Sequence, residues 1–198
     1  MWDERYAEPG FAYGTAANDF LRSVIRDTTL TAQNALCLAE GEGRNGVYLA
    51  QLGYQVDAVD SSAVGLAKAQ QLASQHKVNI QTRCLDLAQL KIAPQSYDLI
   101  VSIFAHTPKE VRLNLHAQIP AALKPGGLFI LETYRAEQLN IGTGGPKNPD
   151  MLMALEELKA SCKDLNILLL QNAMRDIQEG KYHTGVGAVV QLIAQKPQ

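Results

Sequence analysis

The chain has 198 residues, of which 46% are hydrophobic and 19% charged, and its formal net charge is −2. These values are typical of one globular domain with a proper core. No run of Lys and Arg favours nucleic acid as a partner, and no apolar run approaches the ~20 residues that span a membrane. Three widely spaced cysteines without a CxxC pair give no indication of a disulfide framework or a metal site. Without a basic, apolar leader at its start, the sequence predicts a cytoplasmic protein.

Strand-like and helix-like segments alternate along the chain, and such alternation indicates a parallel sheet with helices on both faces. In chain order, the pattern predicts an aromatic arm at 1–14, a helix at 16–25, a strand at 35–39, a helix at 44–52, a strand at 54–59, a helix ending near 76, strands at 78–84 and 97–104, a helix at 108–123, a strand at 128–131, a helix at 150–160 and two strands at 165–171 and 186–194. The last two indicate a hairpin. We predict one domain with an arm and helix (1–30), a cofactor-binding core (35–135) and a C-terminal helix and hairpin (136–198).

The segment Leu36 to Asn45, which reads LCLAEGEGRN, points to a ligand site. An apolar strand stops at Glu40, a turn with Gly41 and Gly43 follows, and a helix starts at Arg44. Glycines let the backbone approach a ligand closely, and a helix start offers unpaired N–H groups. The order of strand, glycine turn and helix predicts a nucleotide-type cofactor.

The other candidate residues follow from the predicted sheet, because doubly wound sheets bind ligands at the carboxyl ends of their strands. Asp60 is placed to accept hydrogen bonds from ribose hydroxyls, and Asp86 from an adenine amine. The alternative is that each aspartate serves a turn or a helix cap. The predicted cofactor-binding residues are Glu40, Gly41, Glu42, Gly43, Arg44, Asn45, Asp60, Ser61, Asp86, Leu87, Ser102 and Ile103.

The turn also matches the G-x-G-x-x-G pattern of dinucleotide-binding proteins through Gly41, Gly43 and Gly46, which is a weak signal alone. Glu40 and Glu42 would face a doubly charged pyrophosphate there, and like charges repel. A cofactor that carries an ammonium and a sulfonium would instead be attracted. The acids therefore favour a cationic cofactor over NAD, which stays as a weaker alternative.

Several segments resemble the class I S-adenosylmethionine-dependent methyltransferases, and more narrowly the tellurite-resistance type branch and its bacterial relatives. They are AEGEGRN (39–45), GYQVDAVDSS (53–62), LDL (85–87), YDLIVS (97–102), LKPGG (123–127) and the terminal hairpin. The resemblance implies a Rossmann-like, doubly wound, seven-stranded sheet that is mostly parallel with an antiparallel last strand. It places the methionine end of the cofactor near Glu40 to Arg44, its ribose at Asp60 and its adenine beside Asp86. Cys37 and Ala39 stand where the family has an acid and a glycine, and Glu40, or with less support Glu42, is the candidate to supply the carboxylate.

The acceptor of the methyl group is not readable from the sequence. The predicted catalytic residues are His106 after the fourth strand, His183 in the hairpin connection and Tyr13 in the arm, which we expect to close over the methyl group. Glu132 and Tyr134 are further candidates after the fifth strand.

A small-molecule acceptor is expected, and a protein acceptor stays open. The fourth strand lacks the Asn/Asp-Pro-Pro-aromatic signature of enzymes that methylate base amines and amides. The alternative function is a cofactor-binding sensor or interaction module without transfer activity.

Overall fold

The computed structural model of the chain describes residues 2–28 and 33–198. Its strands are β1 (Asn34–Leu38), β2 (Gln55–Asp60), β3 (Gln81–Cys84), β4 (Tyr97–Ile103), β5 (Leu123–Tyr134), β6 (Asn166–Glu179) and β7 (His183–Gln195). They form one sheet in the order β3-β2-β1-β4-β5-β7-β6. β7 runs antiparallel to β5 and β6, and the pairs among β1 to β5 are parallel. The predicted fold class is confirmed.

Helices cover both faces of the sheet. They are α1 (Trp2–Tyr6), α2 (Asp19–Asp27), α3 (Arg44–Gln51), α4 (Ala63–Gln75), α5 (Lys109–Ala122) and α6 (Leu155–Ser161). Successive residues of a strand point to opposite faces. Cys37 of β1 accordingly packs in a cluster with residues of α2, α3 and α4, whereas Leu36 packs in a second cluster with residues of α5 and α6. Within the described part of the chain, no helix is long and apolar enough to cross a membrane.

Several predicted elements have different bounds in the structure, and the strand predicted at 78–84 begins at Gln81. The helix predicted from residue 16 begins at Asp19, because the Asn18 side chain caps it by accepting from the Leu21 N–H. The helix predicted at 150–160 is a 3-10 turn (Pro149–Met151) followed by the shorter α6. Residues 124–127, predicted as a turn, form an irregularity within β5, where the pairing with β4 shifts register.

The terminal hairpin is longer than predicted. Its strands contain 14 and 13 residues and pair, with one register shift between Ile167 and Leu169, up to a tight turn at 180–182. Much of β6 is exposed at the sheet edge. Its residues 172–179 therefore lack the apolar run that marks a buried strand. His183 is therefore not in a loop, as predicted, but is the first residue of β7. Met1 and residue 30, the predicted end of the arm and helix, lie outside the described residues.

Candidate functional site

Two neighbouring cavities lie at the carboxyl ends of β1 and β4, where the strand order reverses. The outer cavity, of about 210 Å³, is lined by Asp60, Ser61, Asp86 and Leu87 among others. The inner cavity, of about 40 Å³, is lined by residues of the β1 turn, the end of β4, the N-terminal arm and the start of β7. Of the predicted site residues, the inner cavity is lined by Tyr13, Glu40, Glu42, Arg44, Asn45, Ile103, His106 and His183.

The Glu40 carboxylate turns back onto the helix that follows it. Its Oε1 accepts from the Gly46 N–H at 2.6 Å, and burial raises the pKa of this carboxyl to about 7. Burial and the neighbouring Glu40 carboxylate raise the pKa of the Cys37 thiol well above its usual value. Glu40 thus places a carboxyl group beside the position where the family has its strand-end acid.

The two aspartates of the outer cavity both accept hydrogen bonds from backbone N–H groups. Asp60 accepts from the Gly41 N–H at 2.9 Å and from the Ser62 N–H at 2.8 Å, and burial raises its pKa. Asp86 is exposed and accepts from the Ala88 N–H at 2.9 Å, as the cap of a 3-10 turn. The turn and cap functions considered as alternatives are therefore present. Each carboxylate oxygen still has lone pairs for a ligand.

The remaining predicted cofactor residues lie at unequal distances from the cavities. Leu87 lines the outer cavity, whereas Ser102 is buried within β4 and lines neither of the two. Gly41 and Gly43 have positive φ values of 59° and 91°, which residues other than glycine rarely adopt. Gly41 is also covered by Tyr6, since a Cβ atom there would lie 2.5 Å from the Tyr6 hydroxyl.

The N-terminal arm (residues 2–14) lies across these cavities. Trp2 and Tyr6 line both, and Tyr13 and Gly14 line the inner one. Tyr6 is buried against Gly41 and against Gly65 of α4. Of the arm's tyrosines, Tyr6 rather than Tyr13 packs on the turn of residues 40–43, here called the cofactor turn.

Glu42 joins the arm to the cofactor turn. Its Oε2 accepts from the Ala12 N–H at 2.7 Å, and its Oε1 lies 3.0 Å from Lys68 Nζ. Lys68 also donates to the arm carbonyls of Glu8 and Gly10. Both acids of the turn are thus engaged, Glu40 with the helix start and Glu42 with the arm.

The arm is held on its other side by the turn of the terminal hairpin. The Lys181 N–H donates to the Ala12 carbonyl at 2.9 Å, and the Tyr182 hydroxyl donates to Glu8 Oε1 at 2.5 Å. A Cβ atom on Gly180 would lie 2.4 Å from the Ala12 carbonyl oxygen. Only glycine permits this close approach, which nothing local in the sequence announces.

Polar atoms without partners meet beside the inner cavity. Both ring nitrogens of His106 and the Tyr134 hydroxyl are buried and make no hydrogen bond, and Nδ1 of His183 lies 3.5 Å from Glu179 Oε2. The ring centroids of His106 and Tyr134 are 5.9 Å apart, those of His106 and His183 6.2 Å, and those of Tyr134 and His183 5.3 Å. Phe104 packs against all three rings. Burial lowers the pKa of His106 to about 3, so that this ring is neutral at pH 7, and burial also lowers the pKa of His183.

Two nearby cations, Arg44 and Arg175, are bound to buried carboxylates, whereas Arg5 of the arm donates from Nη1 to the Tyr13 hydroxyl at 2.8 Å. Arg44 Nη2 lies 2.7 Å from Glu179 Oε2, and Arg175 pairs with both Glu132 and Glu179. Burial alone would raise the pKa of Glu179, but contacts with His183 and Arg44 lower it to about 2. The sequence missed Glu179, because it fell in the segment predicted as a connection.

Comparisons with known proteins agree with this geometry. Residues 35–127 match the family described as methyltransferase domain. No curated protein matches the sequence. Among solved structures, the chain is similar to TehB from Haemophilus influenzae, with 21% identity over 92% of this chain and 63% of that one and a TM-score of 0.74.

Two further structures share the fold. One is a protein from a study of the conversion of a disulfide bond into a thioacetal group during echinomycin biosynthesis (TM-score 0.77, 12% identity, 98% of this chain and 88% of that one). The other is an S-adenosylmethionine-dependent methyltransferase from Clostridium acetobutylicum (TM-score 0.70, 17% identity, 91% and 90%). The predicted family resemblance and cofactor class are thereby confirmed.

Proposed function

We propose that this chain, which has the fold and the cofactor-binding segment of a class I S-adenosylmethionine-dependent methyltransferase, transfers a methyl group to a small-molecule acceptor in the inner cavity. The observation that carries the proposal is the adjacency of the two cavities, which share Trp2, Tyr6, Ala39, Phe104 and His106. The outer one offers groups for an adenosine. The inner one, at the cofactor turn, has room for a small reacting group.

The residues present fit this cofactor. Asp60 and Ser61 offer acceptors for ribose hydroxyls, and Asp86 offers an acceptor for an exocyclic amine. The Glu40 carboxyl, with a pKa near 7, can become a carboxylate beside a cationic methionine end. When bound, the cofactor supplies an electrophilic methyl group.

A dinucleotide fits less well. Pyrophosphates bind at a helix start through its unpaired N–H groups. Here the Glu40 carboxylate already accepts from Gly46 in the first turn of α3, and Glu42 adds a second acid to the turn. A phosphate would meet two acidic side chains and a helix start in which the Gly46 N–H already donates to Glu40.

The chain's contribution to transfer is orientation and exclusion of water. In-line displacement requires an acceptor held close to the methyl carbon, and orientation can supply several kcal/mol of the barrier. The arm covers the cavities, and Phe104, Tyr13 and Ile103 give the inner one apolar walls.

The three cysteines are free, with Cys84 exposed, which agrees with the proposed cytoplasmic location.

Calorimetric titration with S-adenosylhomocysteine, S-adenosylmethionine and NAD tests the cofactor. We expect both sulfur compounds to bind and NAD not to bind. Incubation of a metabolite extract with methyl-labelled cofactor then tests transfer. Labelled product supports the enzyme, binding without labelled product supports the sensor or interaction module, and binding of NAD alone supports the oxidoreductase.

A further inference from the structure

One wall of the outer cavity is built from two segments that are distant in the chain. Thr107 and Pro108 belong to the loop after β4, and Met151 belongs to the 3-10 turn before α6. The position of such connecting segments depends on contacts with other parts of the molecule more than on their own backbone structure. The shape of this wall therefore depends on the contacts that join the two segments.

A single side chain near the start of α5 joins them. Arg112 is buried, and its Nη1 donates to the Thr107 carbonyl at 3.3 Å and to the carbonyl of Asp150. Its Nη2 donates to the Leu152 carbonyl at 3.2 Å. The guanidinium thus connects the loop after β4 to the carbonyls on either side of Met151.

The orientation of this guanidinium is fixed from its other side by Glu157 of α6. Arg112 Nε donates to Glu157 Oε1 at 2.6 Å and Nη2 donates to Oε2 at 3.1 Å, and the two side chains are only 3% and 13% exposed. Such a bidentate pair holds the guanidinium plane in one direction. The Lys109 N–H adds a second tie between the segments by donating to Asp150 Oδ2 at 2.9 Å. Arg112 and Glu157 are here called the clasp.

The clasp acts on the cavity from behind its wall. Arg112 is among the described residues and lines neither of the two cavities, so its effect on a ligand there is indirect. A buried ion pair is often no more stabilising than an apolar pair of similar size, which makes stability alone a weak reason for it. A wall that is held in place before binding does, however, spare the ligand the free-energy cost of ordering it.

We propose that Arg112 is a positioning residue for the adenosine part of the cofactor, because it holds Thr107, Pro108 and Met151 as a preformed wall of the outer cavity. This inference rests on the proposed function, in which the adenosine occupies that cavity. Binding of the adenosine part should depend on the clasp. The amino-acid part, at the cofactor turn, should not depend on it.

The test compares variants of the full chain that separate position from charge. Arg112→Lys keeps a cation opposite Glu157 but lacks the planar fork that reaches three carbonyls. A double variant, Arg112→Met with Glu157→Leu, replaces the buried ion pair by apolar side chains, an exchange that often costs little stability. The control Lys124→Gln breaks an ion pair with Asp98 (2.8 Å) at the amino ends of β4 and β5, away from the cavities.

Calorimetric titrations with S-adenosylhomocysteine and with adenosine alone provide the readout. Both clasp variants should bind each compound about tenfold more weakly than wild type does, and by the same factor for the two compounds, because the loss lies in the part that they share. Lys124→Gln should bind both with wild-type affinity. Urea denaturation checks that each variant is folded under the conditions of the titration, which a purely structural role of Arg112 would affect without any change in affinity.

Hydrogen exchange in wild type gives a measurement that needs no variant. Adenosine alone should increase the protection of residues 106–108 and 150–152 together, because the clasp joins the two segments. Protection of one segment without the other would overturn the proposal.

Three results of the titrations would also overturn it. They are wild-type affinity for adenosine in a folded clasp variant, a loss of affinity for S-adenosylhomocysteine without an equal loss for adenosine, and an equal loss in Lys124→Gln. In each case the wild-type protein still binds S-adenosylhomocysteine, and the proposed function stands. Failure of the wild-type protein to bind S-adenosylhomocysteine would overturn the proposed function, and this inference with it.

Discussion

The cofactor turn and the inner cavity differ in how their polar groups are satisfied, although they lie side by side. At the turn, the carboxylates of Glu40, Glu42 and Asp60 accept from backbone N–H groups of the chain itself. Beside the cavity, the ring nitrogens of His106 and the hydroxyl of Tyr134 are buried but have no hydrogen-bond partners. Groups of the first kind stabilise the folded chain, whereas groups of the second kind lower its stability, because no hydrogen bond compensates their burial. Four experiments can break or sharpen this contrast.

The largest effect is expected on the free energy of unfolding, from a substitution of Glu132, which is fully buried on β5. It accepts hydrogen bonds from Asn18, Arg175 and Gln191. Glu132→Leu should lower the free energy of unfolding by about 3–5 kcal/mol, because it leaves buried donors and a cation without their acceptor. Urea denaturation measures the loss.

Tyr134→Phe, two residues further along the same strand, is the matched control. It removes a buried hydroxyl that has no partner, so stability should stay within about 1 kcal/mol of wild type or rise. An equal loss in both variants would contradict the distinction between the two regions.

Asp60 should have the next largest effect, now on binding. Asp60→Ala should weaken S-adenosylhomocysteine binding by about 1.5–3 kcal/mol, the range for a hydrogen bond to a charged group. It should also loosen the turn, since Gly41 and Ser62 lose their acceptor. Calorimetry of Asp60→Ala beside Asp86→Ala, which removes an exposed carboxylate, checks the ranking. A greater loss in Asp86→Ala would place the cofactor differently.

A substitution of Glu42 tests how firmly the arm is attached to the cofactor turn. Glu42→Gln removes the charge that faces Lys68 while keeping the shape of the side chain, so arm amides should exchange about tenfold faster. In wild type, cofactor should increase protection in the arm and in residues 40–45 together. Hydrogen exchange with mass spectrometry gives both readings, with Glu110→Gln on α5 as the control. Unchanged exchange in the arm on saturation would mean that it only packs on the site.

The smallest effect concerns pH. The pKa of Glu40 lies near 7, and a cationic cofactor favours its ionised form, which is lost as the pH falls through that value. Binding of S-adenosylmethionine should be about fivefold weaker at pH 6 than at pH 7, or ~1 kcal/mol. Titrations at the two values should show this slope in wild type and a flat response in Glu40→Gln. A slope that persists in the variant would assign the proton to another group.

The parts of the molecule that the sequence predicted share a local signal. The order of strands and helices follows from apolar runs and their periods, and the turn at Glu40 to Gly43 follows from glycines between a strand and a helix. The parts that it did not predict depend on contacts between distant segments. His106 meets His183 because β7 lies next to β5, and that register is not encoded near either residue.

The same reason explains the hairpin and the arm. β6 forms the edge of the sheet, where exposure removes the apolar pattern by which a strand is recognised. The sequence indicated Tyr6 only as one aromatic residue of the predicted arm, and its place over Gly41 depends on the contacts of the arm with Glu42 and Lys68. Buried ion pairs such as that of Arg44 with Glu179 likewise join residues 135 positions apart.

The contact between the arm and the hairpin turn has a consequence for the order in which the chain can mature. The partners of these contacts, Pro9 with Lys181 and Glu8 with Tyr182, are separated by 172 and 174 positions. During synthesis the arm leaves the ribosome long before its dock at residues 180–182 is made. Long loops close slowly, so the arm must wait for the hairpin. A nascent chain can thus build its first β–α units early, but it encloses its inner cavity only after residues 180–182 have been synthesised.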